Sequence, residues 1–327
     1  MSTALAAGMA EFIRDSEAHS QPVAEGDFAA MRRQYGALCA ALNPPRPADV
    51  ASRDLCAPGP AGDVPLRLYW RGRGGVDGGD ANDGGDGRGG DDGLILFCHG
   101  GGWVLGDLHS HDYYCARLAA DCACRVLAVD YRLAPEHPYP AALEDAAAAL
   151  AFARGELGVD GGRILLCGDS AGGNLCAALA ARERDAGRAL AGQVLIYPAL
   201  GGEQLDLASC AEQADAPLLS RADLDFYSAA YLGGGGAARR RERDFAPLLD
   251  DDFRGLPPSL LLPVELDPLR DDSAAYAERL RAAGVAVELQ LARGVVHGSL
   301  RALGRCAEVD RQHARLCDFV RRRLPAA

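Results

Sequence analysis

The chain has 327 residues, 49% of them hydrophobic, and a formal net charge of −12. That length buries a substantial core, enough for one large α/β domain with an elaboration or for two small domains. The negative charge argues against a nucleic-acid partner, which needs a basic face. No run of uncharged apolar residues approaches the roughly 20 needed to cross a bilayer. The N-terminal stretch lacks the basic leader and sustained apolar run of a secretory signal, so the expected address is the cytoplasm. Lysine is absent and all 34 basic residues are arginine. In an Ala- and Gly-heavy chain this reads as a coding bias and not as a local functional device.

Residues 1–45 carry helical patterning. Phe28, Met31, Tyr35, Leu38 and Leu42 recur at steps of three and four, which places them on one helix face. Pro44-Pro45 ends it. Val64–Trp70 reads as a strand. Residues 71–93 are almost wholly Gly, Asp, Asn and Arg and lack the nine-residue period of a calcium-binding repeat, so a flexible surface loop is expected. From Leu94 onward strands and helices alternate. Leu94–Cys98, Arg125–Val129, Ile164–Cys167, Val194–Tyr197, Leu260–Val264 and Val285–Leu291 are short apolar runs. Helical segments fall near 110–122, 140–154, 171–186, 272–283 and 308–323. That alternation specifies a mostly parallel central sheet with helices on both faces. The partly acidic stretch 201–245 interrupts it, and with the N-terminal helices it is the natural lid over the sheet's C-terminal edge. The expected division is 1–45, an N-terminal helical cap segment; 46–200, first part of the core; 201–245, a cap insertion; and 246–327, second part of the core.

The strongest local signal is Gly168-Asp169-Ser170-Ala171-Gly172, where a strand runs directly into a helix. Such a turn strains the serine backbone and requires small residues two before and two after it. It lifts the hydroxyl above the sheet and aims the helix N-terminus at developing negative charge. The second signal is His99-Gly100-Gly101-Gly102-Trp103, at the end of the Leu94–Cys98 run. Three glycines expose backbone N–H groups, as stabilisation of an oxyanion requires. A nucleotide loop is the weaker reading, because neither G-x-G-x-x-G nor a P-loop lysine is present.

A serine nucleophile needs a base. His297 follows the last predicted strand in Gly294-Val-Val-His-Gly298, where a loop can return it to the sheet edge. His109 and His111 form an H-x-H without a third ligand in register, and no metal is expected there. His313 falls on the C-terminal amphipathic helix and reads as a surface residue. The eleven cysteines read as reduced structural thiols; Asp121-Cys122-Ala123-Cys124 comes closest to a metal cluster but has no second pair at zinc spacing. For the orienting acid, Leu260–Asp272 offers Glu265, Asp267, Asp271 and Asp272. Asp267, just past the strand and before Pro268, best projects a carboxylate upward. Asp271 and Asp272 look like first-turn helix residues.

Taken together, HGGGWVLGDL (99–108), DYRLAPEHPYPAALEDA (130–146), GDSAGGNL (168–175), LPPSLLLPVELDPLRDD (256–272) and GVVHG (294–298) resemble the hormone-sensitive-lipase-like esterases of the α/β-hydrolase fold. The resemblance runs from about Leu94 to His297. It implies a helical cap, no cofactor, a small-molecule ester substrate and the chain order Ser170…Asp267…His297. Ser170 is then the nucleophile, His297 the general base and Asp267 its orienter. The oxyanion donors are the N–H groups of Gly101, Gly102, Ala171 and, more loosely, Gly100. Asp130, Arg132 and Glu136 are expected to form a charge network supporting the HGGG loop. Ser299 stands where the family often has an aromatic residue, and the loop at 71–93 is longer than the usual connection. The family often pairs through edge strands or helices, so a homodimer is the protein partner to test for. The implied activity is hydrolysis of short- to medium-chain carboxylic esters through an acyl-enzyme. Amide or formamide hydrolysis by the same triad is the alternative within enzymes. The rival class is a ligand-binding protein on the same fold, like the plant gibberellin receptors, which have lost the catalytic histidine.

Overall fold

The computed structural model describes residues 4–24, 26–72, 93–202, 205–234 and 236–325. Most of the Gly/Asp-rich stretch expected as a flexible loop therefore lies outside the described residues. Among the described residues the central sheet has eight strands: β1 (Val50–Gly59), β2 (Gly62–Arg71), β3 (Leu94–Cys98), β4 (Arg125–Val129), β5 (Ile164–Asp169), β6 (Gly192–Ile196), β7 (Ser259–Leu262) and, at the far edge, β9 (Val287–Leu289). Their spatial order is β1-β2-β4-β3-β5-β6-β7-β9. The β1–β2 and β2–β4 pairs are antiparallel and every other pair in this sheet is parallel. The remaining two strands described, β8 (Val264–Leu266) and β10 (Ala292–Val296), form a separate parallel pair.

The continuous apolar runs are strands covered on both faces. Every residue of β3, β4, β5, β6 and β7 is buried. Side chains alternate between faces along a strand, and the core divides accordingly. Leu94, Leu96, Leu127, Val129, Ile164 and Leu166 join one cluster, while Ile95, Phe97, Val126, Ala128, Leu165 and Cys167 join the other. The first face is covered by α4 (Ala141–Gly155), α5 (Ala171–Asp185) and α9 (Arg270–Ala282). The second is covered by α1 (Met9–Ala18), α3 (Asp112–Cys122) and α10 (Ala307–Arg323).

Three boundaries differ from the sequence expectation, each for a physical reason. The apolar run 260–264 is split at Pro263, which has no N–H to give to a ladder. Residues before it continue the main sheet and residues after it pair with β10. The run 285–291 yields only the short edge strand β9, and the strand that leads into His297 is the less apolar Ala292–Val296. Strand β1 lies outside the sequence expectation: it is an edge strand, largely half-exposed, paired among the described residues with β2 alone and carrying Asp54 and Pro58.

In the 201–245 stretch lie α6 (Ala208–Glu212), α7 (Arg221–Leu232) and the short α8 (Gly236–Arg239). A capping box between Ser220 and Asp223 opens α7. Helix α2 (Phe28–Leu42) begins with Asp27 accepting the Ala30 N–H, and its extent matches the expected face. That face is only partly core, because Met31, Tyr35 and Leu38 line a cavity.

Candidate active site

Strand β5 passes into α5 through Ser170, which adopts φ 53 and ψ −120. A non-glycine residue at positive φ costs on the order of 1–3 kcal/mol, so the surroundings must enforce it. The Ser170 N–H donates to the Ile196 carbonyl at 2.9 Å, and the flanking glycines make the turn sterically possible. A Cβ on Gly172 would overlap the Cys98 carbonyl, and one on Gly168 would overlap Gly172 itself.

The sequence candidates converge at this turn. Ser170 Oγ lies 2.8 Å from His297 Nε2, and His297 Nδ1 lies 2.7 Å from Asp267 Oδ2. A carboxylate only accepts, so Nδ1 carries the proton and Nε2 is left as the acceptor of the serine hydroxyl. Asp267 is fully buried, and its other oxygen accepts the Leu269 N–H at 2.9 Å. Of the four acids considered, it alone meets His297. Glu265 accepts the Gly294 N–H and ties β8 to β10. Asp271 and Asp272 do lie in the first turn of α9, but their carboxylates serve a neighbouring segment. Asp272 accepts from the Leu200 and Gly202 N–H groups, and Asp271 from that of Ser209.

The three-glycine loop wraps the same cavity, about 270 Å³ in volume, that Ser170 and His297 line. Gly101 (φ 125) and Gly102 (φ 61) take conformations that L-residues avoid, and a Cβ on Gly102 would strike the Tyr227 ring of α7. Neither N–H of this pair has a partner among the described residues. The Ala171 N–H is the first of α5 and has no carbonyl a turn back to reach. Gly100 is a correction: its N–H donates to Asp169 Oδ1 at 2.8 Å and is not available to an oxyanion.

Asp169, inside the serine motif but given no role by sequence, is thus the clamp of the glycine loop. His111 Nε2 sits 3.3 Å from the same oxygen. Burial alone would raise this carboxyl, but His111, Arg301 and the Gly100 N–H together hold it below the usual range. His111 is therefore engaged with Asp169 and with Ser110 Oγ, at 2.9 Å, while His109 is exposed, so the H-x-H does not act as a pair. His99 stacks on Tyr131 with ring centroids 4.2 Å apart, and Tyr131 O–H donates to the His99 carbonyl at 2.6 Å. Burial, reinforced by His111, pushes the His99 pKa down to about 4, so this ring is neutral at pH 7.

The expected charge network is two separate devices. Arg132 bonds Asp145 on α4 through Nε and Nη2. Glu136 instead binds Arg32 of α2, whose Nε donates to the Val104 carbonyl at 2.9 Å just beyond the glycine loop. Asp130 makes no ion pair among the described residues; burial and then Asp107 push its pKa up to about 6. Two aromatics also escaped sequence reasoning. Trp103 stacks on Tyr231 of α7 at 4.5 Å and 4°. The Tyr197 ring packs on His297 at 4.6 Å, and its hydroxyl accepts the Leu300 N–H. An aromatic thus reaches the histidine from the end of β6, although Ser299 occupies the position beside Gly298. The motif G-V-V-H-G carries no signal for it.

His313 is likewise a correction. It is buried, not at the surface, with Nε2 2.8 Å from Asp121 Oδ2, an oxygen that Arg117 also reaches at 2.6 Å. Helix α10 packs this side against α3, and the amphipathic pattern alone did not say which helix it would meet.

Residues 95–301 match the family described as alpha/beta hydrolase fold. Carboxylic ester hydrolase LipN of Mycobacterium tuberculosis is 39% identical over 285 residues, covering 84% of this chain and 71% of that protein. Among solved structures, a bacterial heroin esterase superposes with a TM-score of 0.82 at 33% identity, over 95% of this chain and 96% of its own. An esterase of the bacterial hormone-sensitive lipase family gives 0.82 at 29% identity, over 97% and 98%. No helix among the described residues is long and apolar enough to cross a membrane. The chain belongs to the hormone-sensitive-lipase-like family of α/β-hydrolase serine esterases.

Proposed function

We propose that this protein hydrolyses short- to medium-chain carboxylic esters, with Ser170 as nucleophile, His297 as general base and acid, and Asp267 as its orienter. His297 takes the Ser170 proton as Oγ attacks the ester carbonyl. The Gly101, Gly102 and Ala171 N–H groups stabilise the tetrahedral oxyanion, an effect worth several kcal/mol in a water-poor site. His297 then protonates the leaving alcohol, and water releases the acid by the same steps in reverse. The observation that carries this is the unbroken chain from Ser170 Oγ through His297 to Asp267, at 2.8 and 2.7 Å, inside a cavity with free N–H donors. A retained and correctly paired histidine supports catalysis over binding alone.

The N-terminal helices and residues 201–245 form the cap, since Met31, Tyr35, Leu224 and Tyr227 from these segments wall the cavity. Its 270 Å³ lies just below the roughly 300–1,000 Å³ of drug-sized ligand pockets, which favours short acyl groups. Eleven cysteines without a disulfide suit a reducing compartment, the cytoplasm. Exposed Leu289 and Leu291 at the β9 edge are where a second copy would pair. The chemical test is Ser170→Ala. Turnover of 4-nitrophenyl butyrate should disappear while the circular dichroism spectrum and melting temperature are kept. A variant that retains activity would refute the assignment.

A further inference from the structure

One charged side chain in the catalytic cavity, Arg301, makes no ion pair among the described residues. Arg301 lies one 3-10 turn beyond His297, in Ser299–Ala302, and lines the cavity beside Gly298. Its Nη1 donates to the Tyr35 hydroxyl at 3.3 Å, and its guanidinium carbon sits 5.0 Å from the Tyr35 ring centroid. Its Nε is fully buried with no acceptor. No carboxylate lies within ion-pair distance of it among the described residues. Asp169 acts on it through space, but that carboxylate is already engaged by the Gly100 N–H and His111.

Arg301 is half-buried, and a guanidinium partly withdrawn from water is stabilised when something negative meets it. A tyrosine face and one neutral hydroxyl supply only part of that stabilisation. The position matters too. A chain of net charge −12 repels anions as a whole, and Asp169 lines this cavity too, so Arg301, the one arginine among its described lining residues, supplies the positive potential an anionic group needs there. Arginine's planar fork matches the two oxygens of a carboxylate, the anionic group that a monoester of a dicarboxylic acid carries.

We propose that Arg301 forms an anion subsite, and that the preferred substrates are esters bearing a second, free carboxylate, such as monoesters of short dicarboxylic acids. This rests on the ester-hydrolase reading and narrows it. The ester carbonyl is held at Ser170 while the free carboxylate meets the Arg301 guanidinium, and the bond cleaved is still the ester C–O bond.

The experiment compares kcat/KM for monoethyl succinate, glutarate and adipate with their neutral counterparts ethyl butyrate, valerate and hexanoate, where a terminal methyl replaces the carboxylate. Hydrolysis is followed by pH-stat on the full chain. For the acid whose length spans the two sites, the wild type should match or exceed the neutral ester. Arg301→Met should lower that acid-to-neutral ratio about 10- to 100-fold, the loss of a charge-assisted hydrogen bond. Arg301→Lys should lower it less. The wild-type ratio should also fall as NaCl rises from low to high concentration, a readout that survives if the Met variant does not fold. A ratio unchanged in Arg301→Met, or a wild type that turns over all three acids at least tenfold more slowly than the neutral esters, overturns the subsite. Failure of the ester-hydrolase reading looks different: the neutral esters themselves would go unhydrolysed.

Discussion

Two histidine–aspartate pairs of nearly equal length occupy different parts of this molecule. His297 meets Asp267 at 2.7 Å, and His313 meets Asp121 at 2.8 Å. Both rings are buried. At His297 the second ring nitrogen faces a hydroxyl in a cavity. At His313 the second nitrogen, Nδ1, is buried without a partner, and Cys317 Sγ lies 3.5 Å from Nε2. Asp267 is devoted to its histidine and one backbone N–H, whereas Asp121 is shared with Arg117. The pair at His313 binds α10 to α3, and we propose that the pair at His297 moves a proton. A histidine–carboxylate contact becomes chemistry only when the far nitrogen has something to take a proton from, in a space a substrate can enter.

Breaking the two pairs should therefore have opposite signatures. The largest effect is expected at His297: His297→Ala should lower kcat for 4-nitrophenyl butyrate about 10⁴-fold or more, with the fold kept. Asp267→Asn should cost about as much, because an amide both accepts and donates and no longer fixes the tautomer with Nδ1–H. A smaller loss is expected at Asp169, a positioning residue. Asp169→Ala frees the Gly100 N–H and the glycine loop, with a fall in kcat of about 10²-fold from misplaced donors. Asp169→Asn, whose carbonyl oxygen still accepts from Gly100, should recover part of it; equal loss in both variants would mean that charge, not the clamp, matters.

The smallest catalytic effect belongs to the other pair. His313→Gln should leave kcat/KM within about threefold and lower stability instead. Against the desolvation of burial, hydrogen bonds to Asp121 and Cys317 push the His313 pKa up to about 9, above the ordinary histidine value of 6.5. The folded protein thus holds this proton more tightly than the unfolded chain. The contribution is complete below about pH 6.5 and is lost as pH rises toward 9. Urea midpoints of the wild type should fall across that window by the equivalent of about 1–3 kcal/mol, and His313→Gln should flatten the slope. An unchanged slope would place the titration elsewhere.

The same contrast explains what sequence could and could not tell. Backbone-dictated features were legible. The turn at Ser170, the glycine loop and the buried runs β3 to β6 are each specified by steric or burial demands on adjacent residues. Asp267 and His297 were legible because chain order and strand ends place them. What escaped depended on partners distant in sequence. The β1 edge has little buried face to leave a pattern, and β10 was hidden by charged Arg293. Asp169 carries no role in the serine motif as a sequence, because its partner, the Gly100 N–H, lies 69 residues away. His313 looked like a surface residue because a helix's polar face does not announce the acid waiting on its neighbour. Gly100 was grouped with its fellow glycines, since nothing in HGGG says which N–H is already taken.

Activation of Ser170 by His297 is read out by covalent labelling with a fluorophosphonate followed by peptide mapping. The expected result is a single adduct on Ser170 in the wild type and labelling slowed at least a hundredfold in His297→Ala. Labelling at another serine, or an undiminished rate without His297, would contradict it.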